Sequence, residues 1–160
     1  MNTRIVKASV IAAALAVVLQ VAVSAHHSFA MYDQKKVVTL TGVVKQFVPQ
    51  ANHAEIHFIL FSPDHKSLLK GKDGKYVEWG LEMAGTAQLE RQGITPATFG
   101  PGTVFSVHMN PLRDGSNFGA RVGALVKCPV DSASNKPKLP EPGKHCDSVQ
   151  GMTITGGTSF

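Results

Sequence analysis

The chain has 160 residues, which is enough for one domain. It carries 16 basic and 11 acidic residues, giving a net charge of +5. The basic residues do not form a stripe with interleaved aromatic residues, so the charge does not indicate nucleic-acid binding. Four of the lysines fall between residues 66 and 75 around two glycines, a pattern typical of a solvated loop.

Residues 1–25 have the pattern of a secretory signal peptide. Arg4 and Lys7 precede an apolar run over residues 8–23, and Val23, Ser24 and Ala25 satisfy the small-residue rule for cleavage. The run is short for a membrane span, so a retained anchor is the less favoured alternative. Cleavage predicts a periplasmic chain with no membrane contact. It begins at His26, and the loss of two basic residues lowers its net charge to +3.

The two cysteines, Cys128 and Cys146, are predicted to form one disulfide, because an exported chain enters an oxidising compartment. The segment between them is rich in proline and lysine, which predicts a loop-like tail over residues 128–160 held by the bridge. A redox-active pair is disfavoured because the sequence contains no Cys-x-x-Cys motif.

A polar lead-in over residues 26–36 precedes a predicted barrel domain over residues 37–127. Alternating or β-branched segments predict five strands, at residues 37–47, 53–61, 75–83, 103–109 and 120–126. Gly42 predicts a bulge or bend in the first strand, and Trp79 is predicted to be the largest core residue. Residues 86–92 predict a short helix, with Thr86 as its N-cap and Gly93 beyond its end.

Three strands, one helix and two strands follow one another in this prediction. That order is typical of a mainly β, OB-fold-like, five-stranded and partly open barrel with its helix between strands 3 and 4. An immunoglobulin-like sandwich is the alternative, although it calls for about seven strands.

The second and third predicted strands each have one polar side. His53, Glu55 and His57 alternate with apolar residues on the second strand. The third strand presents Tyr76, Glu78 and Glu82 on the corresponding side. OB-folds bind extended polymers on this pair of strands, so these six residues form the predicted binding face. Its acidic residues disfavour a polyanion and leave a partner protein, a peptide or a saccharide as the expected ligand.

Catalysis has little support in the sequence. The nucleophile motif Gly-x-Ser-x-Gly is absent, and the cysteines are predicted to be bridged. Glu78 and Glu82 lie about 13 Å apart along one strand, which is wide for a catalytic pair of carboxylates. A non-enzymatic binding module is therefore the preferred interpretation.

Copper binding is the alternative function, and copper is the one cofactor that the sequence suggests. A mature chain that begins at His26 offers its α-amine and its imidazole to one ion, and nitrogen ligands of this kind suit copper. The histidines predicted to take part are His26, His27, His53, His57 and His108.

Several segments together resemble the exported bacterial domain-of-unknown-function family number 6152. The matching segments are residues 26–33, 39–44, 53–61, 78–83, 89–93, 100–102 and 111–115. The resemblance implies a small periplasmic β-barrel protein and implies no established activity. The oligomeric state does not follow from the sequence.

Overall fold

The computed structural model describes residues 30–146 and 152–154. The chain divides into two compact units, residues 1–32 and 33–160. Of the first unit only residues 30–32 are described, and they contain one helical residue and one isolated bridge residue. The predicted signal peptide, its cleavage site, His26 and His27 lie outside the described residues. The second unit contains all the strands described below.

The elements follow the predicted order, with bounds close to those predicted. They are β1 Val38–Val48, β2 Glu55–Leu60, β3 Glu78–Glu82, α1 Thr86–Glu90, β4 Val104–Pro111, β5 Phe118–Lys127 and β6 Met152–Ile154. Strand β6 lies in the C-terminal tail, where the sequence predicted no strand.

The sheet closes on itself. Its strand order is β3-β2-β1-β4-β5-β6, and β3 also pairs with β5. The closing pair is parallel and joins residues 80–82 to residues 118–120, whereas the other pairs are antiparallel. Strands β1–β5 therefore form a barrel with α1 between β3 and β4, and the predicted OB-fold-like architecture is confirmed.

The barrel core is built from the inward residues of the alternating strands. The largest fully buried side chains are three phenylalanines, Phe58, Phe99 and Phe105, whose rings meet edge to face at 5.1 and 6.0 Å. Trp79 is only partly buried against this core, so the prediction that it is the largest core residue is wrong. Trp79 precedes the residues at which β3 pairs with β5, and it therefore lies near one end of the barrel.

Two irregularities bend the strands. The register of β1 against β2 shifts between Val44 and Gln46, so the bulge lies at Lys45 and not at the predicted Gly42. Gly42 instead marks a close approach, since a Cβ there would lie 2.6 Å from the carbonyl oxygen of Ile59. In β5 the register against β4 also shifts, next to Gly123, whose φ of 70° suits glycine.

Arg121 joins the irregular part of β5 to the segment after α1. Its side chain donates from Nε to the carbonyl oxygen of Gly123 and from Nη1 to Oε1 of Gln92, both at 3.1 Å. Burial lowers the pKa of this guanidinium below its ordinary value. The sequence analysis did not predict a buried arginine.

Helix α1 begins differently from the prediction. Its N-cap is Gly85, and Thr86 uses its hydroxyl to donate to the carbonyl oxygen of Gln50 at 2.7 Å. A Cβ on Gly85 would overlap the carbonyl group of Ala51, which explains the glycine at this contact. Gly93 has the positive φ, 73°, that its predicted place beyond the helix requires. Among residues 30–146 and 152–154, no helix is long and apolar enough to cross a membrane.

Residues 145 and 146 of the C-terminal tail pack on the outer face of β1 and β4. The predicted Cys128–Cys146 bridge is confirmed, and both cysteines are buried with Val104 and Val126. The backbone N–H of Cys146 donates to the hydroxyl of Ser106 at 2.9 Å. Thr41 contacts both Ser106, at 2.7 Å, and Nδ1 of His145, at 2.9 Å. The tail is thus held by buried polar contacts as well as by the disulfide.

Candidate functional site

Strands β2 and β3 place polar side chains side by side on the outside of the barrel. On β2 the apolar residues Ile56 and Phe58 are fully buried, so the alternate residues Glu55 and His57 point outward. Pairing sets Glu55 opposite Glu82, His57 opposite Gly80, and Ile59 opposite Glu78. The name β2–β3 face is used below for His53, Glu55, His57, Glu78 and Glu82.

Each imidazole of the β2–β3 face lies beside a carboxylate. His57 donates from Nε2 to Oε2 of Glu55 at 3.1 Å, and its Nδ1 lies 3.8 Å from Oε1 of Glu78. Nδ1 of His53 lies 3.4 Å from Oε1 of Glu82. The structure therefore brings together five of the six predicted face residues in two groups, His57 with Glu55 and Glu78, and His53 with Glu82.

The β2–β3 face is acidic. Lys45, brought outward at the bulge of β1, places Nζ 2.6 Å from Oε2 of Glu78. Both side chains are well exposed, at 53% and 39%, so this ion pair adds little to stability. Three carboxylates against one ammonium leave a net negative charge when the imidazoles are neutral.

An aromatic ring that the sequence analysis did not include lies in the middle of this face. Gly80 occupies the outward position between Glu78 and Glu82, and a Cβ on it would overlap the ring of Phe118. Phe118 is the register partner of Gly80 on β5, and its side chain is half-buried. Its ring thus fills the place of the missing side chain, in the same cross-strand row as His57.

The sequence contains one signal for this contact. A glycine at an outward position of an otherwise alternating strand marks the close approach of another group. Gly80 interrupts the row of Glu78 and Glu82 in this way. The local pattern does not reveal which group this is, because Phe118 is brought to Gly80 by the parallel pairing of β3 with β5.

Tyr76, the sixth predicted face residue, lies in the connection before β3. Its backbone forms an isolated bridge with Lys70, whose Nζ lies 5.2 Å from the centroid of the tyrosine ring. The strand pairing of β2 with β3 ends at Glu78. Beyond it, residues 68–70 lie between the two strands, because Leu68 bridges to Phe61 and Lys70 bridges to Tyr76. Tyr76 is therefore placed with the lysine-rich loop.

Two loops flank the β2–β3 face. The β4–β5 loop is joined to β3, because the N–H of Gly80 donates to the carbonyl oxygen of Asn117 at 2.9 Å. Within this loop the hydroxyl and N–H of Ser116 donate to Asp114 and hold the pKa of that carboxyl below its ordinary value. The β1–β2 loop and α1 border an open cavity of about 480 Å³ beside His53.

The described histidines of the copper hypothesis do not converge. His53 and His57 belong to the β2–β3 face, while Nδ1 of His108 lies 2.9 Å from the hydroxyl of Thr39 on β1. Within residues 30–146 and 152–154, no group of three or more His, Cys, Asp or Glu side chains is arranged to hold a metal ion. His26 and His27 lie outside these residues, so the copper hypothesis stays a prediction.

Comparison with known proteins agrees with the resemblance seen in the sequence. No curated protein and no solved structure matches the chain. Residues 14–121 match a family of unknown function, DUF6152, and this stretch covers more than half of the chain. It includes β1–β4, the whole β2–β3 face and Phe118. The chain therefore belongs to the family of unknown function DUF6152.

Proposed function

We propose that this protein is an exported, non-enzymatic binding module whose β2–β3 face binds an extended, cationic segment of a peptide or partner protein. The observation that carries the proposal is the half-buried ring of Phe118 against Gly80, the β3 position between Glu78 and Glu82. OB-folds use this pair of strands, with the loops beside it, to bind extended polymers.

The chemistry of the face favours a cationic ligand. An ammonium or guanidinium group is attracted to the face of an aromatic ring, and it forms strong hydrogen bonds with carboxylates. Phe118 offers the ring, and Glu55, Glu78 and Glu82 offer the carboxylates. Lys45 already contacts Glu78 as a ligand lysine would, and its exposure allows a ligand to displace it.

The spacing of the face favours an extended ligand. Glu78 and Glu82 are four residues apart on β3, a separation of about 13 Å. Side chains four residues apart on an extended peptide have the same spacing and also point to the same side. A peptide with basic residues at alternating positions therefore matches the face.

Export is part of this proposal. The signal-peptide pattern of residues 1–25 and the Cys128–Cys146 bridge support it, because disulfides persist in oxidising compartments. Intact-mass measurement of the protein from periplasmic extracts tests it. A chain that begins at His26 is expected, whereas a chain retaining residues 1–25 would contradict it.

Fluorescence anisotropy with a labelled heptapeptide of alternating alanine and lysine tests the binding function. The Phe118→Ala variant and the Glu78→Gln/Glu82→Gln double variant should each weaken binding about ten-fold. Leu139→Ala, which truncates an exposed apolar residue of the tail, is the matched control and should bind as the wild type does. Equal binding by all four proteins would refute the proposal, as would binding of a neutral hexasaccharide in place of the peptide.

We propose copper(II) binding through His26 as the second function. The anchored imidazole of His108 supports it, since metal-bound histidines are usually held through their other ring nitrogen. Calorimetric titration should give tight binding to the chain that begins at His26, and much weaker binding when one residue precedes it. Equal, weak binding by both forms would end the copper hypothesis.

A further inference from the structure

The β1–β2 loop and α1, with Arg91 just after it, border an open cavity at one end of the β2–β3 face. Its polar lining consists of Asn52, His53, Gln88 and Arg91, and its volume is about 480 Å³. We propose that this cavity binds the terminal carboxylate of the peptide whose basic side chains lie on the β2–β3 face. This inference rests on the proposed function, and it narrows the ligand to a peptide whose C-terminus lies in the cavity.

The lining has the chemistry of a carboxylate site. The guanidinium of Arg91 presents N–H donors in a planar fork that matches the two oxygens of a carboxylate. Asn52 and Gln88 add amide donors. None of the described residues that line the cavity is acidic, so no carboxylate of the lining competes for these donors.

The cavity and the acidic face meet at one residue. His53 lines the cavity, and its Nδ1 lies 3.4 Å from Oε1 of Glu82 at the end of β3. A ligand that follows the face past Glu82 therefore reaches the cavity directly. The change from acidic to basic lining at His53 matches a peptide with basic side chains and an anionic end.

The walls of the cavity are held together by close contacts. Gly85 packs against the carbonyl of Ala51, with no room for a Cβ. The N–H of Thr86 donates to the carbonyl oxygen of Gln50 at 3.0 Å, and its hydroxyl donates to the same oxygen at 2.7 Å. A preformed site of this kind spends less free energy on ordering loops when a ligand binds.

The size of the cavity fits a chain end. Sites for small molecules occupy about 300–1,000 Å³, and this cavity lies within that range. It accommodates the last residue of a peptide with its carboxylate, while the preceding residues lie on the strands.

The experiment compares two forms of the alternating alanine–lysine heptapeptide, one with a free terminal carboxylate and one with a terminal amide. With the wild-type chain the amide should bind about ten-fold more weakly, because it lacks the charge that Arg91 pairs with. Arg91→Gln should lower the affinity for the free acid to that of the amide and leave the amide's affinity unchanged. Lys136→Gln removes the same charge from an exposed position in the tail and should preserve the ten-fold difference.

The outcomes distinguish failure of the cavity assignment from failure of the proposed function. Equal affinity of the wild type for both peptides, with loss of both in Glu78→Gln/Glu82→Gln, would overturn the cavity assignment and leave the binding face in place. A ten-fold difference that persists in Arg91→Gln would also overturn it. If neither peptide binds, the proposed function fails and the cavity assignment fails with it.

Discussion

At the scale of single residues, Gly80 determines what the candidate site can present. The alternation of β3 would place a side chain outward at this position, between Glu78 and Glu82. The absence of that side chain lets the ring of Phe118 lie across the strand. One glycine thus converts a purely polar row into a row with an aromatic centre.

The Gly80→Ala variant should displace the Phe118 ring, because the new methyl group and the ring compete for the same space. Peptide affinity should fall about as far as in Phe118→Ala, and overpacking should lower the free energy of unfolding by about 1–3 kcal/mol. Fluorescence anisotropy and urea denaturation measure the two effects. Wild-type affinity in a folded Gly80→Ala protein would show that the ring does not contribute to binding.

Asp114 provides a test of the β4–β5 loop through its pKa. The Ser116 hydroxyl is the main cause of the lowered value, so Ser116→Ala should move the pKa of Asp114 upward toward its ordinary value. Because the folded-state pKa is lowered, the stabilisation is complete above the unfolded pKa and is lost as pH falls through the folded one. NMR titration of the carboxyl measures the change, and an unchanged pKa would mean that the hydroxyl faces elsewhere in solution.

At the scale of secondary-structure elements, the barrel and the tail are held by different forces. The barrel is stabilised by the burial of Phe58, Phe99 and Phe105 between its strands. The tail is attached to the outside by the disulfide and by the contacts of Thr41 and Ser106 with residues 145 and 146. The two parts should therefore respond differently to the loss of the bridge.

Replacement of both cysteines by serine should lower the free energy of unfolding by about 3 kcal/mol, the value for a loop of this size. The β-rich circular dichroism spectrum should persist, because β1–β5 form the barrel without either cysteine. Chemical denaturation followed by circular dichroism measures both properties. Loss of the β-rich spectrum in dilute buffer would show that the barrel depends on the tail.

The core offers a comparison between two aromatic residues. Phe105→Ala should cost about 3–5 kcal/mol, because it empties a fully buried site between two other rings. Trp79→Ala should cost less, since Trp79 is only partly buried. Urea denaturation of both variants ranks them. A larger loss for Trp79 would mean that this end of the barrel is more tightly packed in solution.

A strand or helix could be predicted where its own residues carry a periodic pattern. The alternation of β2 was sufficient to separate the buried Ile56 and Phe58 from the outward Glu55 and His57. The order of the strands and of α1 followed from similar local patterns, because each element carries its own periodicity. The fold class and the polar side of β2 could therefore be predicted from the sequence.

The features that could not be predicted depend on contacts between segments far apart in the sequence. The place of Phe118 on the β2–β3 face follows from the parallel pairing of β3 with β5, which joins segments far apart in the sequence. Trp79 is only partly buried, and the pairing of β3 with β5 begins after it, at Gly80. The cap at Gly85 follows from its contact with Ala51 in another loop. None of these contacts leaves a periodic pattern in the sequence.

At the scale of the whole molecule, different faces of the barrel differ in what covers them. On the outer face of β1 and β4, the buried residues Thr41 and Ser106 contact His145 and Cys146 of the disulfide-held tail. The β2–β3 face carries carboxylates and a half-buried ring, and it ends at a cavity lined by Arg91. This difference supports the proposal that a ligand binds on the β2–β3 face.

Amide-resolved NMR titration of the protein with the alternating alanine–lysine heptapeptide tests the central claim, that the β2–β3 face is the binding site. The largest shift changes should fall on Glu55, His57, Gly80 and Phe118, with small changes over residues 128–146. Shift changes concentrated in the tail or in the lysine-rich loop, with the β2–β3 face unaffected, would contradict it.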